Sequence, residues 1–275
     1  MSIVDCAGKQ LDLSRPRVMG ILNITPDSFS DGGDFLSVDL AIEQAYRMVE
    51  EGAAIIDVGG ESTRPGAPTV SETEELDRVL PVIEGIARDL PVPISVDTSK
   101  PNVMRSAVAA GAGLVNDVMA LQAPGAVAAV ADLNVPVCLM HMQGEPRTMQ
   151  KSPRYSDVVS EVKAFLAQRI DCCISAGISR SRLLIDPGFG FGKTLEHNLA
   201  LLRDLQKIAE LNLPLLVGLS RKSMIGALLD EPVNNRMYGS LAAAVLAVER
   251  GARIIRTHDV KPTVDALALS AALLK

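Results

Sequence analysis

The stretch RLLIDPGFGFGKT, residues 182–194, decides the fold. An apolar run, Leu183-Leu184-Ile185, ends at Asp186 and passes at once into proline and three glycines spaced by phenylalanine. Apolar runs of this length suit a parallel strand covered on both faces, and the glycine-rich tail reads as the loop that leaves it. The same grammar recurs on either side. RVMGILNI (17–24), AIIDV (54–58), PISVD (93–97), LVND (114–117), PVCLMH (136–141), PLLVG (214–218) and RIIRT (253–257) are short runs ending in polar or glycine-rich segments.

Helical spacing fills the gaps between them. Ser71 and Glu74 have the S-x-x-E spacing of a capping box, followed by Leu76, Val79, Leu80, Ile83, Ile86 and Leu90 at three- and four-residue steps. Val158, Val162, Phe165, Leu166, Ile170 and Cys173 form a second stripe. Both are core positions and imply no chemistry. Strand and helix in regular alternation predict an α/β chain of one domain (1–275), a (β/α)8 TIM barrel preceded by a short N-terminal β-hairpin. A doubly wound open sheet is the alternative such a pattern leaves.

The 275 residues suit one barrel, and 48% hydrophobic content is ample for its core. With 27 basic against 33 acidic residues, the net charge is −6, and no basic run appears. Nucleic acid and anionic membranes are therefore poor partners, and any bound anion must be held by a few placed groups. No stretch approaches a membrane span, and the N-terminus has no signal-peptide pattern, which implies a cytoplasmic protein. Cys6, Cys138, Cys172 and Cys173 show no C-x-x-C spacing and read as buried free thiols.

In a barrel, chemistry gathers where strands run into βα-loops. Polar side chains recur there: Asn23, Asp97, Asn116, Asp186 and Arg256 at strand ends, and Lys222 a few residues past the seventh barrel strand. One such residue can be a helix cap, as Asp97 before Thr98-Ser99 illustrates, but six around one rim are not explained that way. Phe29, Phe35, Phe189 and Phe191 fall in loops after the first and sixth barrel strands, which suggests a lid or stacking wall for a flat ligand. Cations flanked by glycine or hydroxyls (Arg64, Arg221, Lys222, Arg256, with His258) suit a phosphate or pyrophosphate. The glycines of 186–194 fail the P-loop register by one position, which excludes that motif and leaves them free to admit a ligand close to the backbone. Three histidines are too few for a multi-histidine metal centre, whereas a magnesium ion carried by a polyphosphate needs few protein ligands and Asn23 can offer it a carbonyl oxygen.

Eight ordered motifs carry a resemblance. NITPDSFSDGG (23–33), DVGGESTRPGA (57–67), ISVDTSKP (94–101), LVNDV (114–118), LMHMQG (139–144), LLIDPGFGFGK (183–193), GLSRKSMIG (218–226) and IIRTHDV (254–260) are similar to the dihydropteroate synthase family of pterin-binding barrels. The resemblance implies an Mg²⁺-dependent, homodimeric enzyme that joins 6-hydroxymethyl-7,8-dihydropterin pyrophosphate to 4-aminobenzoate in folate synthesis and is blocked by sulfonamides. It further implies Asn23 as Mg²⁺ ligand, and Asp97, Asn116, Asp186 and Lys222 around the pterin, with Val118, Met140 and Gly218 lining its pocket. Arg64, Arg256 and His258 would hold the pyrophosphate. Thr63, Pro65, Phe191 and Ser223 would form the 4-aminobenzoate site, under a loop around Phe29. Asp97, Lys222, Arg256 and His258 are the expected catalytic residues. Where many relatives carry arginine after the NDV motif, this chain has Met119-Ala120.

Rival readings are a corrinoid methyltransferase of related pterin-binding type, a Schiff-base aldolase acting through Lys222, and a non-catalytic pterin carrier. The first needs no pyrophosphate clamp, so SRKS (220–223) and RTHD (256–259) argue against it.

Overall fold

The computed structural model describes residues 3–24, 34–62, 66–145 and 148–273, with backbone alone at 34–37. Two short strands come first, β1 (Ile3–Cys6) and β2 (Lys9–Asp12), paired antiparallel around Ala7-Gly8. Both turn residues have positive φ, 55° and 88°, the handedness that a two-residue hairpin requires. The expected hairpin is present. Lys9 Nζ fastens it beneath the barrel by donating to Ala87 O, Leu90 O and Val92 O at 3.1, 2.6 and 3.3 Å.

Strands and helices then alternate. The eight strands β3 (Arg17–Asn23), β4 (Ile55–Gly59), β5 (Ile94–Asp97), β6 (Leu114–Asp117), β7 (Val137–Met140), β8 (Leu183–Asp186), β9 (Leu216–Gly218) and β10 (Ile254–Thr257) form one sheet. Each falls within one of the runs read from the sequence, except that β4 continues one residue past its run to Gly59. The order is β8-β7-β6-β5-β4-β3-β10-β9, and the paired strands are parallel. A parallel bridge between Ile185 and Leu215, with Ile185 N donating to Pro214 O at 3.0 Å, brings β8 and β9 together. The sheet therefore closes into a barrel, and the open-sheet alternative fails.

The helices between strands are α1 (Asp34–Glu50), α2 (Glu72–Ala87), α3 (Pro101–Ala109), α4 (Ala126–Leu133), α5 (Val158–Ser175), α6 (Leu195–Arg203), α7 (Leu205–Ala209), α8 (Ser223–Leu229), α9 (Met237–Glu249) and α10 (Val260–Leu273). Only half of the expected capping box forms at α2. Ser71 Oγ accepts from Glu74 N at 3.2 Å, but the Glu74 carboxylate takes the nearer cation, Arg78, one turn along. Two further expectations need correcting. Cys172 is exposed, although Cys6, Cys138 and Cys173 are buried, because its position on α5 points away from the core stripe. Phe35 lies in α1, not in a loop.

Successive strand residues face opposite sides, so each strand serves two cores. Ile56, Val58, Val96, Val115, Val137, Leu139, Leu183 and Ile185 pack outward against the helices. Met19, Ile55, Leu114, Cys138, Leu184, Leu216 and Ile254 face the barrel axis and pack with Val4, Cys6, Leu11 and Leu13 of the hairpin. The N-terminal mouth is thus plugged by apolar side chains. Whatever chemistry the barrel performs is confined to its other end.

Candidate active site

The period-two rule fixes what lies above that plug. Two residues beyond Ile55, Leu114, Cys138, Leu184, Leu216 and Ile254 stand Asp57, Asn116, Met140, Asp186, Gly218 and Arg256. The barrel interior therefore changes within one layer from aliphatic to polar and charged, at the end where the loops begin. Arg256 sits at the centre of this layer. Its Nε donates to Asp57 Oδ2 at 2.5 Å and its Nη2 to Asp97 Oδ2 at 2.7 Å. Asn116 Nδ2 donates to the same Asp57 oxygen at 3.2 Å.

Burial and charge set the protonation equilibria here. Burial pushes Asp97 up to about 7 against the pull of Arg256, and the nearby charges of Asp57 and Asp117 add to the rise. Asp186 is raised to about 6, again by burial, opposed by the Gly188 amide and by Lys222. Lys222 is lowered to about 8 by burial, with Asp186 favouring its charge. Burial disfavours the charge on Arg256 too, but Asp57 and Asp97 outweigh it and hold its pKa above the usual arginine value. Acids that titrate close to neutrality, gathered around one fixed cation, mark a functional layer.

Asp186 ends β8 and its Oδ1 accepts the Gly188 amide at 2.7 Å, turning the chain sharply into the glycine loop. Gly188 and Gly192 have φ of 68° and 62°. A Cβ at these positions would lie 1.9 Å from His141 O and 2.3 Å from Gln143 O. The sequence expectation that these glycines admit a ligand is replaced here: they admit the neighbouring loop after β7. Phe189 turns into the core and is 1% exposed, so it forms no lid. Phe191 goes the other way. It joins Val118, Met140 and Met149 in a small apolar cluster, with Lys222 Nζ 4.3 Å from its ring centroid. Carboxylates beside such a surface suit a flat heterocycle with a polar edge.

Around the rim, Ser220 Oγ lies 3.0 Å from His258 Nδ1 and accepts from the His258 amide at 3.2 Å, which holds His258 on the loop after β10. Arg221 is turned outward and paired with Asp259, Nη2 to Oδ1 at 2.5 Å, so Asp259 shares the charge expected to serve an anion. Gly218 closes β9 and Ser223 opens α8. Asn23 closes β3 one strand from Asp97, with Gly59 between them in register. A Cβ on Gly59 would lie 3.8 Å from both Asn23 Oδ1 and Asp97 Oδ2, so the two oxygens flank one gap. Thr63, Arg64, Pro65 and Phe29 lie outside the described residues.

Asp57 is not at a strand end, so the run of polar strand-end residues in the sequence does not point to it. Its signal was a charge inside the apolar run AIIDV, on the face that period two turns inward. Lys193 and His141 were also missed, and both are buried, 3% and 5% exposed.

A closed barrel with a polar, charged layer at its C-terminal end, beside an apolar shelf, has the architecture of a barrel enzyme with its site among the βα-loops. The sequence profile described as "Pterin binding enzyme" matches residues 19–258. The chain is 57% identical to dihydropteroate synthase of Escherichia coli strain K12, over 97% of this chain and 95% of that protein. Among solved structures, that of Xanthomonas albilineans dihydropteroate synthase with 4-aminobenzoic acid superposes with a TM-score of 0.95 at 55% identity, covering 99% of this chain and 98% of that one. The same bacterium's enzyme in complex with 7,8-dihydropteroate gives 0.91 at 53% identity, covering 99% and 98%. This chain belongs to the dihydropteroate synthase family.

Proposed function

We propose that the protein condenses 6-hydroxymethyl-7,8-dihydropterin pyrophosphate with 4-aminobenzoate, giving 7,8-dihydropteroate and pyrophosphate, and that sulfonamides compete for its 4-aminobenzoate site. The observation that carries this reading is the inward layer of Asp57, Asp97, Asn116, Asp186 and Arg256 beside the Phe191 shelf. The amino-pyrimidinone edge of a pterin presents adjacent N–H donors, for which Asp186, Asp97 and the carbonyl of Asn116 are acceptors. Lys222, near both Asp186 and the Phe191 ring, bridges the pterin and the 4-aminobenzoate halves.

In the reaction the aniline nitrogen forms a bond to the pterin methylene, the C–O bond to pyrophosphate breaks, and one N–H proton passes to solvent. An aryl amine is already neutral at pH 7, so no strong base is required. The barrier lies in C–O cleavage, which cations near the departing oxygen lower. Arg256, near the end of β10, and His258, just past it, are placed to hold that charge, and the resemblance adds Arg64, which lies outside the described residues. Asp97 faces positive charge spreading from the methylene.

Asn23 Oδ1, a neutral oxygen that with Asp97 Oδ2 borders the space over Gly59, suits a hard cation that takes its remaining oxygens from pyrophosphate and water. Bound there, Mg²⁺ would neutralise leaving-group charge. Exposed Tyr238 at the start of α9 and Leu269 and Leu273 at the end of α10, at 77, 66 and 76%, leave apolar surface open to the proposed homodimer. The buried free thiols suit the cytoplasm, where we place the protein.

The reading makes pterin binding dependent on pH. Pterin donors need ionised acceptors, and Asp97 and Asp186 take up protons near 7 and 6. Calorimetric titration with the pterin pyrophosphate should show affinity falling as pH drops from 8 to 5. Affinity that is flat across this range would remove both carboxylates from the pterin edge.

A further inference from the structure

We infer that Lys193 is a positioning residue for the 4-aminobenzoate half of the reaction, its ammonium stapling the loop that carries Phe191 to the end of β7. This inference rests on the function proposed above and adds to it a residue outside the substrate pockets. Lys193 Nζ donates to Gly188 O at 2.8 Å and Phe191 O at 3.0 Å, and lies 2.9 Å from His141 Nδ1. Three N–H donors thus meet three acceptors, two on the glycine loop and one at the end of the neighbouring strand. Burial, followed by the charge of Lys193, lowers the His141 pKa to about 3, so the ring is neutral and Nδ1 can accept.

The loop is braced from outside as well. Asn198 Oδ1 on α6 accepts the Gly190 amide at 2.7 Å, and Tyr155 Oη donates to Gly192 O at 2.9 Å. Those contacts hold residues 190 and 192. Lys193 alone, among the described residues, reaches the carbonyl of Phe191 itself with a side-chain donor. Fixing that carbonyl aims the ring at Val118, Met140 and Met149 and places it beneath Lys222.

A lysine kept only to fill space would be poorly chosen. Burial pulls its pKa down to about 7, with Asp186 opposing the fall and Lys222 adding to it. Methionine has similar length and carries no charge to desolvate. The ammonium is explained by what it holds.

The test is steady-state kinetics of Lys193→Met with each substrate varied in turn. The KM for 4-aminobenzoate should rise roughly ten- to hundredfold, as small misplacements of a binding surface do, while the KM for pterin pyrophosphate stays within about twofold. His141→Leu, which removes one of the three acceptors, should move the same KM in the same direction by less. It also serves if Lys193→Met does not fold. In a Phe191→Leu background the Lys193→Met effect should largely vanish, because the residue acts through that ring. Equal changes in both KM values, or an undiminished effect without Phe191, would overturn the inference. If the unmodified enzyme itself fails to make the condensation product, the proposed function fails instead.

Discussion

Asp186→Asn will weaken binding of the pterin pyrophosphate by about 2–4 kcal/mol, roughly 30- to 1,000-fold, with little change in fold. Asparagine keeps Oδ1, and so keeps the 2.7 Å contact that turns Gly188 out of β8. What it loses is Oδ2, replaced by an N–H₂ that faces the donors of the pterin edge. The side chain is 5% exposed, so water cannot relieve the mismatch. The measurement is calorimetry of the variant beside a thermal melt. Unchanged affinity with an unchanged melt would remove Asp186 from the pterin site.

Much of this is legible in the sequence. The strands, their order along the chain and the rim residues Asn23, Asp97, Asn116, Asp186 and Arg256 follow from apolar runs that end in polar residues. What the runs concealed was direction. Asp57 and Arg256 come from strands that neighbour β3 on opposite sides, and the inward curvature of the sheet across β3 brings their side chains to 2.5 Å. Phe189 and Phe191 are alike in sequence, yet one fills the core and the other faces the site. Left-handed backbone at Gly188 and Gly192, set by the loop alongside, decides which is which. The Arg221–Asp259 pair was hidden for a different reason. Both residues lie in motifs that imply anion binding, and the geometry gives them to each other.

The role implied for Arg256 changes most once the fold is known. As a plain phosphate fork, Arg256 could be replaced by lysine with loss confined to the pyrophosphate. In this structure its Nε and Nη2 hold Asp57, which is 0% exposed, and Asp97. Arg256→Met should therefore leave two acids without their direct cation and cost about 3–5 kcal/mol of folding stability, as broken buried pairs do. Binding of unphosphorylated 6-hydroxymethyl pterin should weaken too, because Asp97 will take up a proton and cease to accept. Turnover should fall further still, since the charge that steadies the leaving group goes with the side chain. Arg256→Lys, with one point charge in place of a fork, should lie between the two. A variant that lost turnover while keeping its melt and its affinity for the unphosphorylated pterin would show that Arg256 serves the pyrophosphate alone.

The most direct test of the central claim is product formation by the purified protein. Incubated with 6-hydroxymethyl-7,8-dihydropterin pyrophosphate, 4-aminobenzoate and Mg²⁺, it should release one pyrophosphate for each molecule of 7,8-dihydropteroate, identified by mass. Omitting 4-aminobenzoate should suppress the product, and a sulfonamide should compete with it. Binding of the pterin pyrophosphate without any pteroate would contradict the account and leave the chain a pterin carrier.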